Sequence, residues 1–183
     1  LTNKGTGKNI GAELTIEKFF SNDFFFMITA SVFDSKYKGS DGVERSTDFN
    51  GNFAVNGLLS KEFKIGKNKN SVLITGTKIT YAGGRRYTPA DTVASAIAGE
   101  LVGVDSLRNT KQFKNYFRWD IKIGFRANRK KVTHEFGLDI VNVLNTKNIL
   151  SLTYIPNTEN PTDIVREDYQ LGFLPLFYYK LDF

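Results

Sequence analysis

The sequence predicts an all-β fold, and within that class a segment of an antiparallel transmembrane β-barrel, from three observations. Apolar and polar residues alternate with a period of two along most of the chain, which is typical of strands with two different faces. Short polar connections alternate with long ones, as in barrels with tight turns at one rim and long loops at the other. Aromatic residues make up 14% of the chain, including 16 Phe, which suits a lipid-facing sheet with aromatic girdles.

The alternation predicts about seven strands, each antiparallel to the one before it. They span residues 10–20, 24–37, 47–64, 71–82, 116–126, 132–154 and 173–183. The short connections are Ser21-Asn22, 66–70 and 128–130, and the long ones are 38–46, 82–115 and 155–172. If the long connections are extracellular loops, the last strand runs toward the periplasm and ends there.

The fifth strand shows the two faces best. Five large apolar residues on one face oppose Arg118, Asp120 and Lys122 on the other, which suits a strand between lipid and a watery lumen. The same alternation predicts membrane-facing residues in the last three strands. They are Phe117, Trp119, Ile121, Ile123, Phe125, Phe136, Leu138, Ile140, Phe177, Tyr179 and Leu181.

Residues 142–148, with the sequence Asn-Val-Leu-Asn-Thr-Lys-Asn, interrupt the sixth strand. As a turn, they would split it, make eight strands and leave the C-terminus outside. As a local bulge, they would leave one long strand and preserve the pattern of loops. We favour the bulge for that reason.

Seven strands are an odd number, whereas bacterial single-chain barrels have even numbers from 8 upward. An open sheet would also leave two bare edges, which a membrane does not tolerate. We therefore expect residues 1–183 to be the C-terminal part of one outer-membrane barrel domain, with the earlier strands before Leu1.

The composition narrows the chemistry. The chain has no Cys, one Met and one His, so it offers no disulfide framework and no thiol-based zinc site, and we expect no metal and no cofactor. No run approaches the ~20 apolar residues of a membrane helix. The net charge is +6, but the basic residues are scattered among turns, so we expect no nucleic-acid partner.

Several segments resemble known outer-membrane proteins. Leu-Phe-Tyr-Tyr-Lys-Leu-Asp-Phe, ending at Phe183, resembles the C-terminal strand that the barrel-assembly machinery recognises. Gly-Gly-Arg-Arg-Tyr-Thr-Pro-Ala-Asp at 83–91 resembles a loop of TonB-dependent receptors from the Bacteroidetes. The segments at 116–124 and 138–145, the latter followed by Asn148, are similar to two strands of the same family.

The resemblance implies the last seven strands of a 22-stranded barrel in the cell outer membrane. It implies a receptor that imports a ligand, which binds extracellular loops and a plug before the TonB complex pulls on that plug. Residues 1–183 contain neither the plug nor the TonB box. They would supply barrel wall, loops and the assembly signal at Phe183. Membrane lipid and lipopolysaccharide would surround the wall, and a surface lipoprotein could cap it.

The long connection at 82–115 contains the candidate ligand-binding residues, Arg85, Arg86 and Tyr87. They could grip an anionic or carbohydrate ligand, or lie at the rim and pair with lipopolysaccharide phosphates or neighbouring acids. Apolar residues at helical spacing follow Asp91, which could cap a short helix. We expect that helix to pack against the barrel mouth.

We expect no enzyme activity. Asp120, Glu135 and Asp139 are predicted to face the lumen and to pair with Arg118 or Lys122, while alternation places His134 on the face opposite Glu135. No neighbour-activated nucleophile completes a catalytic group. Two alternatives to the receptor remain: a non-transporting structural or adhesive outer-membrane barrel, and a soluble β-sandwich or lipocalin-like binder.

Overall fold

The computed structural model describes residues 5–156 and 163–183, which form an all-β structure with antiparallel sheets. Its one α-helix, α1, spans Thr92–Ala98, and a 3₁₀ turn spans Asp105–Leu107. The strands of the described residues, in chain order, are β1 (Thr6–Ser21), β2 (Phe24–Lys38), β3 (Glu44–Ser46), β4 (Phe53–Ile65), β5 (Ser71–Ala82), β6 (Arg86–Tyr87), β7 (Lys111–Gln112), β8 (Tyr116–Asn128), β9 (Thr133–Val141), β10 (Ile149–Tyr154), β11 (Val165–Tyr169) and β12 (Leu174–Asp182).

One large sheet dominates. Its strands follow the order β1-β2-β4-β5-β8-β9-β12, and the short β3 pairs with the end of β2, which makes eight strands rather than about seven. The sheet is open, with β1 and β12 at its two edges, and is not a closed barrel. The pairs β6–β7 and β10–β11 form two further small sheets. β10 falls within the predicted sixth strand at 132–154, whereas β6, β7 and β11 lie in predicted long connections, where alternation over so few residues gave no strand signal.

The connections lie at two distinct ends of this sheet. Tight connections follow β1, β4 and β8; the first contains Asn22 and Asp23 with φ of 53° and 60°, the left-handed pair of a two-residue hairpin turn. We call this the turn end, and β12 also finishes there. The longer connections at 39–52 and 83–115, and the described parts of the third at 142–156 and 163–173, lie at the opposite end, the loop end.

The register places most of the exposed large apolar side chains on one face of the sheet, because residues directly opposite each other on neighbouring strands share a face. One such row passes from Ile16 through Ile28 and Gly57 to Ile79 and Trp119. We call this surface the apolar face. It includes Ile10, Leu14, Ile16, Ile28, Val32, Val55, Leu59, Phe63, Ile79, Tyr81 and all eleven residues predicted to face the membrane. Phe25, Leu58, Val72 and Ile74 lie on the other face.

Nothing in the described part of the chain covers the apolar face. Phe177 is 80% exposed and Leu14 is 62% exposed. The buried apolar residues of this part of the chain are only Val72, Ile74, Ala127 and Ile164. Val72 and Ile74 lie on the opposite face, beside Arg126 and Gly124, so the large side chains of the apolar face do not form a core.

The structure corrects the sixth strand, because residues 142–148 form a turn and not a bulge. β9 ends at Val141, and Asn142 and Asn145 have φ of 52° and 51°. The left-handed backbone at both positions ends the pairing. The following strand, β10, leaves the large sheet and pairs with β11, so β12 still lies beside β9 and finishes at the turn end.

The predicted third strand also begins later than expected. It was placed at 47–64, whereas β4 begins at Phe53. Asn52 before it has a φ of 73°, and Asn50 is buried among the hydrogen bonds of a turn. Among the described residues, no helix is long and apolar enough to cross a membrane.

Candidate functional site

The three long connections meet at the loop end and line an open cleft of about 740 Å³. Tyr37 and Phe49 come from the first connection and its strand, Arg85 and Tyr87 from the second, and Leu150 from the third. The cleft therefore lies where the large sheet ends and where its connections are longest.

Three glycines bring these connections together. A Cβ on Gly83 would collide with the carbonyl oxygen of Gly51, and one on Gly84 would collide with that of Phe113. Gln112 donates to the carbonyl oxygen of Gly84 at 3.0 Å. The pair of glycines at the start of the Gly-Gly-Arg-Arg-Tyr motif is thus needed for close backbone approach.

Arg86 is used mainly to hold two connections together. Its Nε donates to the carbonyl oxygen of Asn50 at 3.1 Å, and its Nη2 donates to Asn52 Oδ1 at 3.2 Å. Its backbone N–H also donates to the carbonyl oxygen of Asp48 at 2.8 Å. Of the three candidate ligand-binding residues, Arg86 is the one whose contacts fit a structural role.

The side chains of Arg85 and Tyr87 contact aromatic rings instead of backbone carbonyls. The guanidinium of Arg85 lies 4.8 Å from the ring centroid of Phe49. Tyr87 stacks on Phe113, with ring centroids 4.3 Å apart and planes inclined by 13°. The structure therefore brings Arg85 and Tyr87 to the same cleft, and ligand binding by them stays a prediction.

Two buried asparagines, which the sequence reasoning missed, fix the frame of the cleft. Asn50 is 1% exposed; its Nδ2 donates to Asp34 Oδ1 at 2.8 Å and its Oδ1 accepts from the Ser35 N–H at 3.1 Å. Asn109 donates through Nδ2 to the carbonyl oxygen of Ser46 at 2.9 Å and to Asp48 Oδ1 at 2.7 Å. The Asn-Gly-Asn sequence at 50–52 is a turn signal that could have identified the first of them.

The helix α1 begins as predicted, because Asp91 accepts from the Ala94 N–H at 2.9 Å and caps it. The expected packing of its apolar residues against the barrel mouth was wrong. Ile97 is 84% exposed and Val93 is exposed too, whereas Ser95 is fully buried. Ser95 Oγ accepts from the Val102 N–H at 2.9 Å, so a polar residue anchors the helix.

The segment after β9 closes the loop end of β8. Asn148 accepts from the Phe117 N–H at 3.0 Å and donates to the Phe117 carbonyl oxygen at 2.9 Å. Its side chain thereby replaces a neighbouring strand at that residue. Asn142 donates through its backbone N–H to Asp120 Oδ1 at 2.9 Å, which gives the asparagines at 142–148 a structural role.

The surface opposite the apolar face, the polar face, contains connected ion pairs. Arg126 lies 2.7 Å from Glu135 and 3.2 Å from Glu62, and Lys122 lies 3.0 Å from Asp139. The predicted pairing of Asp139 with Lys122 is therefore confirmed. Asp120 pairs with Arg118 on its own strand at 2.9 Å.

His134 lies on the apolar face, as alternation predicted, and its Nδ1 is 2.9 Å from the Tyr179 hydroxyl. Glu135, on the polar face, instead accepts from the Tyr178 hydroxyl at 2.9 Å. The ring of Tyr178 lies over Gly137, where a Cβ would collide with it. The only His of the chain is thus separated from the carboxylates, and the described residues hold no group of three potential metal ligands.

The Asp41-Gly42 turn in the first long connection is stabilised by charge. Arg45 Nη2 lies 2.7 Å from Asp41 Oδ2, and the Val43 N–H donates to Asp41 Oδ1 at 3.1 Å. The hydrogen bond from Arg45, with the smaller contribution of the Val43 amide, lowers the pKa of Asp41 from its ordinary value.

Comparison of this chain with protein-family models, with curated proteins and with solved structures finds no match.

Proposed function

We propose that this chain forms wall and extracellular loops of a β-barrel in the cell outer membrane, and that the barrel is a TonB-dependent receptor. In this proposal the apolar face contacts lipid and the polar face lines an aqueous lumen. The loop-end cleft lies outside the cell, and a ligand is taken up there before it passes through the barrel.

The observation that carries the proposal is the uncovered apolar face. Soluble monomers rarely expose a continuous apolar patch larger than about 300–600 Å², whereas here apolar residues are exposed on all seven long strands. Connected ion pairs of those strands meanwhile lie on the opposite face, and the charged residues of the apolar face lie toward its two ends, among them Lys18, Asp34, Lys36 and Lys61. Lipid outside and water inside would satisfy both surfaces.

The dimensions of the apolar face support the same proposal. Phe117 and Phe125 bound its apolar run on β8 and are about 26 Å apart at ~3.3 Å per residue. A strand tilt of about 40° reduces the height to roughly 20 Å, close to the ~25 Å apolar band of outer-membrane barrels.

Aromatic residues gather at both ends of that run. Near the loop end, Tyr81 contacts Phe53 and Phe117, with centroids 5.2 Å and 6.4 Å away. Near the turn end, Tyr179 contacts Phe136 at 4.8 Å. Two such clusters match the interfacial girdles of membrane barrels.

The receptor role is supported by the resemblance of the segments at 83–91, 116–124 and 138–145, with Asn148, to TonB-dependent receptors. In these segments Gly83 and Gly84 allow close backbone approach, and Asn142 and Asn148 hold the turn after β9. The partners proposed are the TonB complex, acting through a plug, and the barrel-assembly machinery, acting on the strand that ends at Phe183. Lipid and lipopolysaccharide contact the apolar face and its rim, and a surface lipoprotein is proposed as a cap.

Detergent dependence tests the membrane proposal. The full-length protein that carries these residues is purified with and without detergent, and its folding is followed by circular dichroism and size-exclusion chromatography. We expect β-structure in a single species only in detergent. A folded, monodisperse chain in plain buffer would favour the soluble β-sandwich or lipocalin-like alternative.

The receptor role is tested separately in cells that carry the full gene. Uptake through a TonB-dependent receptor stops when TonB is deleted or the proton gradient is collapsed. Activity that survives both treatments would favour the non-transporting structural or adhesive barrel.

A further inference from the structure

Arg85 is the arginine of the loop-end cleft whose charge has no protein partner among the described residues. Two donors of Arg86 are engaged by Asn50 and Asn52. The guanidinium of Arg108 lies 2.9 Å from Asp105. Within residues 5–156 and 163–183, no hydrogen bond or ion pair forms at the Arg85 guanidinium, which lies over the Phe49 ring.

That contact leaves the donors of Arg85 available. The guanidinium has five N–H donors in its plane, and a ring contact occupies none of them as a hydrogen bond. The centroid distance of 4.8 Å is within the range of cation–π attraction. Phe49 is itself 71% exposed, so the pair stands at the open surface of the cleft.

The backbone on either side of the Arg85 side chain is held in place. The Arg85 carbonyl oxygen accepts from the Phe113 N–H at 3.0 Å, and the Arg86 N–H donates to the Asp48 carbonyl oxygen at 2.8 Å. Gly84, just before it, is buried against the backbone of Phe113. A charged group on a fixed backbone loses less freedom on binding than one on a mobile loop.

We propose that the cleft binds a small organic anion and that Arg85 holds its carboxylate or phosphate group. The planar fork of the guanidinium matches both oxyanions in two parallel hydrogen bonds. The stacked rings of Tyr87 and Phe113 offer an apolar surface for the body of the ligand. That this anion is then imported rests on the receptor function proposed above.

The size of the cleft suits a ligand of metabolite size. Its 740 Å³ falls within the ~300–1,000 Å³ of small-molecule sites. A folded protein would instead need an interface of about 800 Å² per partner. The ligand class is therefore an anion of the size of a sugar acid, a sugar phosphate or an aromatic acid.

Titration calorimetry on the full-length barrel that carries these residues, purified in detergent, tests the site with matched probes. Glucuronate, glucose 6-phosphate and benzoate carry the anion, and glucose and benzyl alcohol are their uncharged counterparts. We expect saturable binding of at least one anion and at least tenfold weaker binding of its counterpart. Glucuronate against glucose 6-phosphate separates carboxylate from phosphate recognition.

Variants assign the binding to Arg85. We expect Arg85→Gln to weaken the anion at least tenfold, because a charge-assisted bidentate contact is lost. Arg85→Lys should also weaken it, since an ammonium neither lies flat on Phe49 nor donates in a fork. Arg129→Gln, which removes the same charge from the turn end, should bind as the parent does.

Three results would overturn the site: no saturable binding of any anion, equal binding of an anion and its counterpart, or equal binding by the Arg85→Gln and Arg129→Gln variants. Failure of the receptor proposal looks different. A chain that folds without detergent and still binds the anion through Arg85 would refute the membrane receptor and retain the site.

Discussion

The two faces of the large sheet are built from alternate residues of the same strands, yet they follow opposite rules. On the apolar face, large side chains such as Phe136 and Phe177 stand exposed beside one another. On the polar face, Arg126 is held between Glu62 and Glu135. In a water-soluble sheet the apolar residues would be the covered ones.

In the proposed membrane orientation, each face contacts a different medium. An isolated ion pair on a surface open to water adds little to the free energy of folding. A connected set such as Glu62–Arg126–Glu135 instead fits a wall that encloses an aqueous space. Exposed apolar groups are unfavourable in water and favourable in lipid. The predictions below test these two environments separately, from the largest expected effect to the smallest.

The largest effect is expected for a charge placed on the apolar face. Leu59 lies on that face and its neighbour Ser60 lies on the polar face, opposite Gly76. In lipid vesicles, Leu59→Arg should lower the free energy of unfolding by about 2–4 kcal/mol, the value for arginine at the bilayer midplane of a barrel. Ser60→Arg should change it by less than about 1 kcal/mol.

Guanidine titration in vesicles measures both variants. If the apolar face were open to water, Leu59→Arg would be close to neutral, because Leu59 is already 44% exposed. Equal effects of the two substitutions would therefore remove the distinction between the faces.

The next effect concerns the packing of Tyr178 on the polar face. Gly137→Ala should lower the free energy of unfolding by about 1–3 kcal/mol, the typical cost of overpacking, because its Cβ would meet the Tyr178 ring. Gly57→Ala is the matched control on the apolar face, where a Cβ meets nothing within 4 Å. Unfolding in detergent compares them, and a neutral Gly137→Ala would contradict the packing.

A smaller effect is expected when the arginine that pairs with two glutamates on the polar face is replaced. Arg126→Gln leaves Glu62 and Glu135 without their cation and should lower the free energy of unfolding by about 1–2 kcal/mol, between the values for exposed and buried pairs. Arg108→Gln breaks the more exposed pair with Asp105, and its effect should stay below about 0.5 kcal/mol. The same denaturant titration distinguishes them, and equal effects would mean that the polar face is as open to water as the loops.

The smallest effect is expected at Asp41 in the first long connection. Since the pKa of Asp41 is lowered in the folded chain, its contribution to stability is complete above its unfolded pKa of about 3.9. It is lost as the pH falls through the lower, folded pKa. Thermal unfolding from pH 7 to pH 2 should show a small difference between the parent and Asp41→Asn that vanishes at the acid end; a difference that grows toward acid would contradict the sign.

Sequence alternation was sufficient to predict the two faces, because period two in the sequence is also period two in the pleat. The prediction at 71–82 coincides with β5, and those at 24–37 and 116–126 differ from β2 and β8 by at most two residues. Asp91 as a helix cap was likewise predictable, because capping depends on a few adjacent residues.

The errors arose where side chains bond to distant backbone. The turn at 142–148 depends on Asn148 bonding to Phe117 and on the left-handed backbone of Asn142. A sequence with apolar residues on both sides does not reveal such contacts. Arg86 was grouped with Arg85 for the same reason, since only the fold shows that Asn50 and Asn52 accept from it.

The most direct test of the apolar face uses Trp119, the only tryptophan of the chain. It lies on that face, beside Ile79 and near the aromatic cluster of the loop end. The full-length barrel that carries these residues is reconstituted with Trp119 as its single tryptophan, any others being replaced by Phe. Its fluorescence is then measured in vesicles with brominated acyl chains and, separately, with aqueous iodide. The proposed orientation predicts strong quenching by the brominated lipid and little by iodide; strong quenching by iodide with none by the brominated lipid would contradict it.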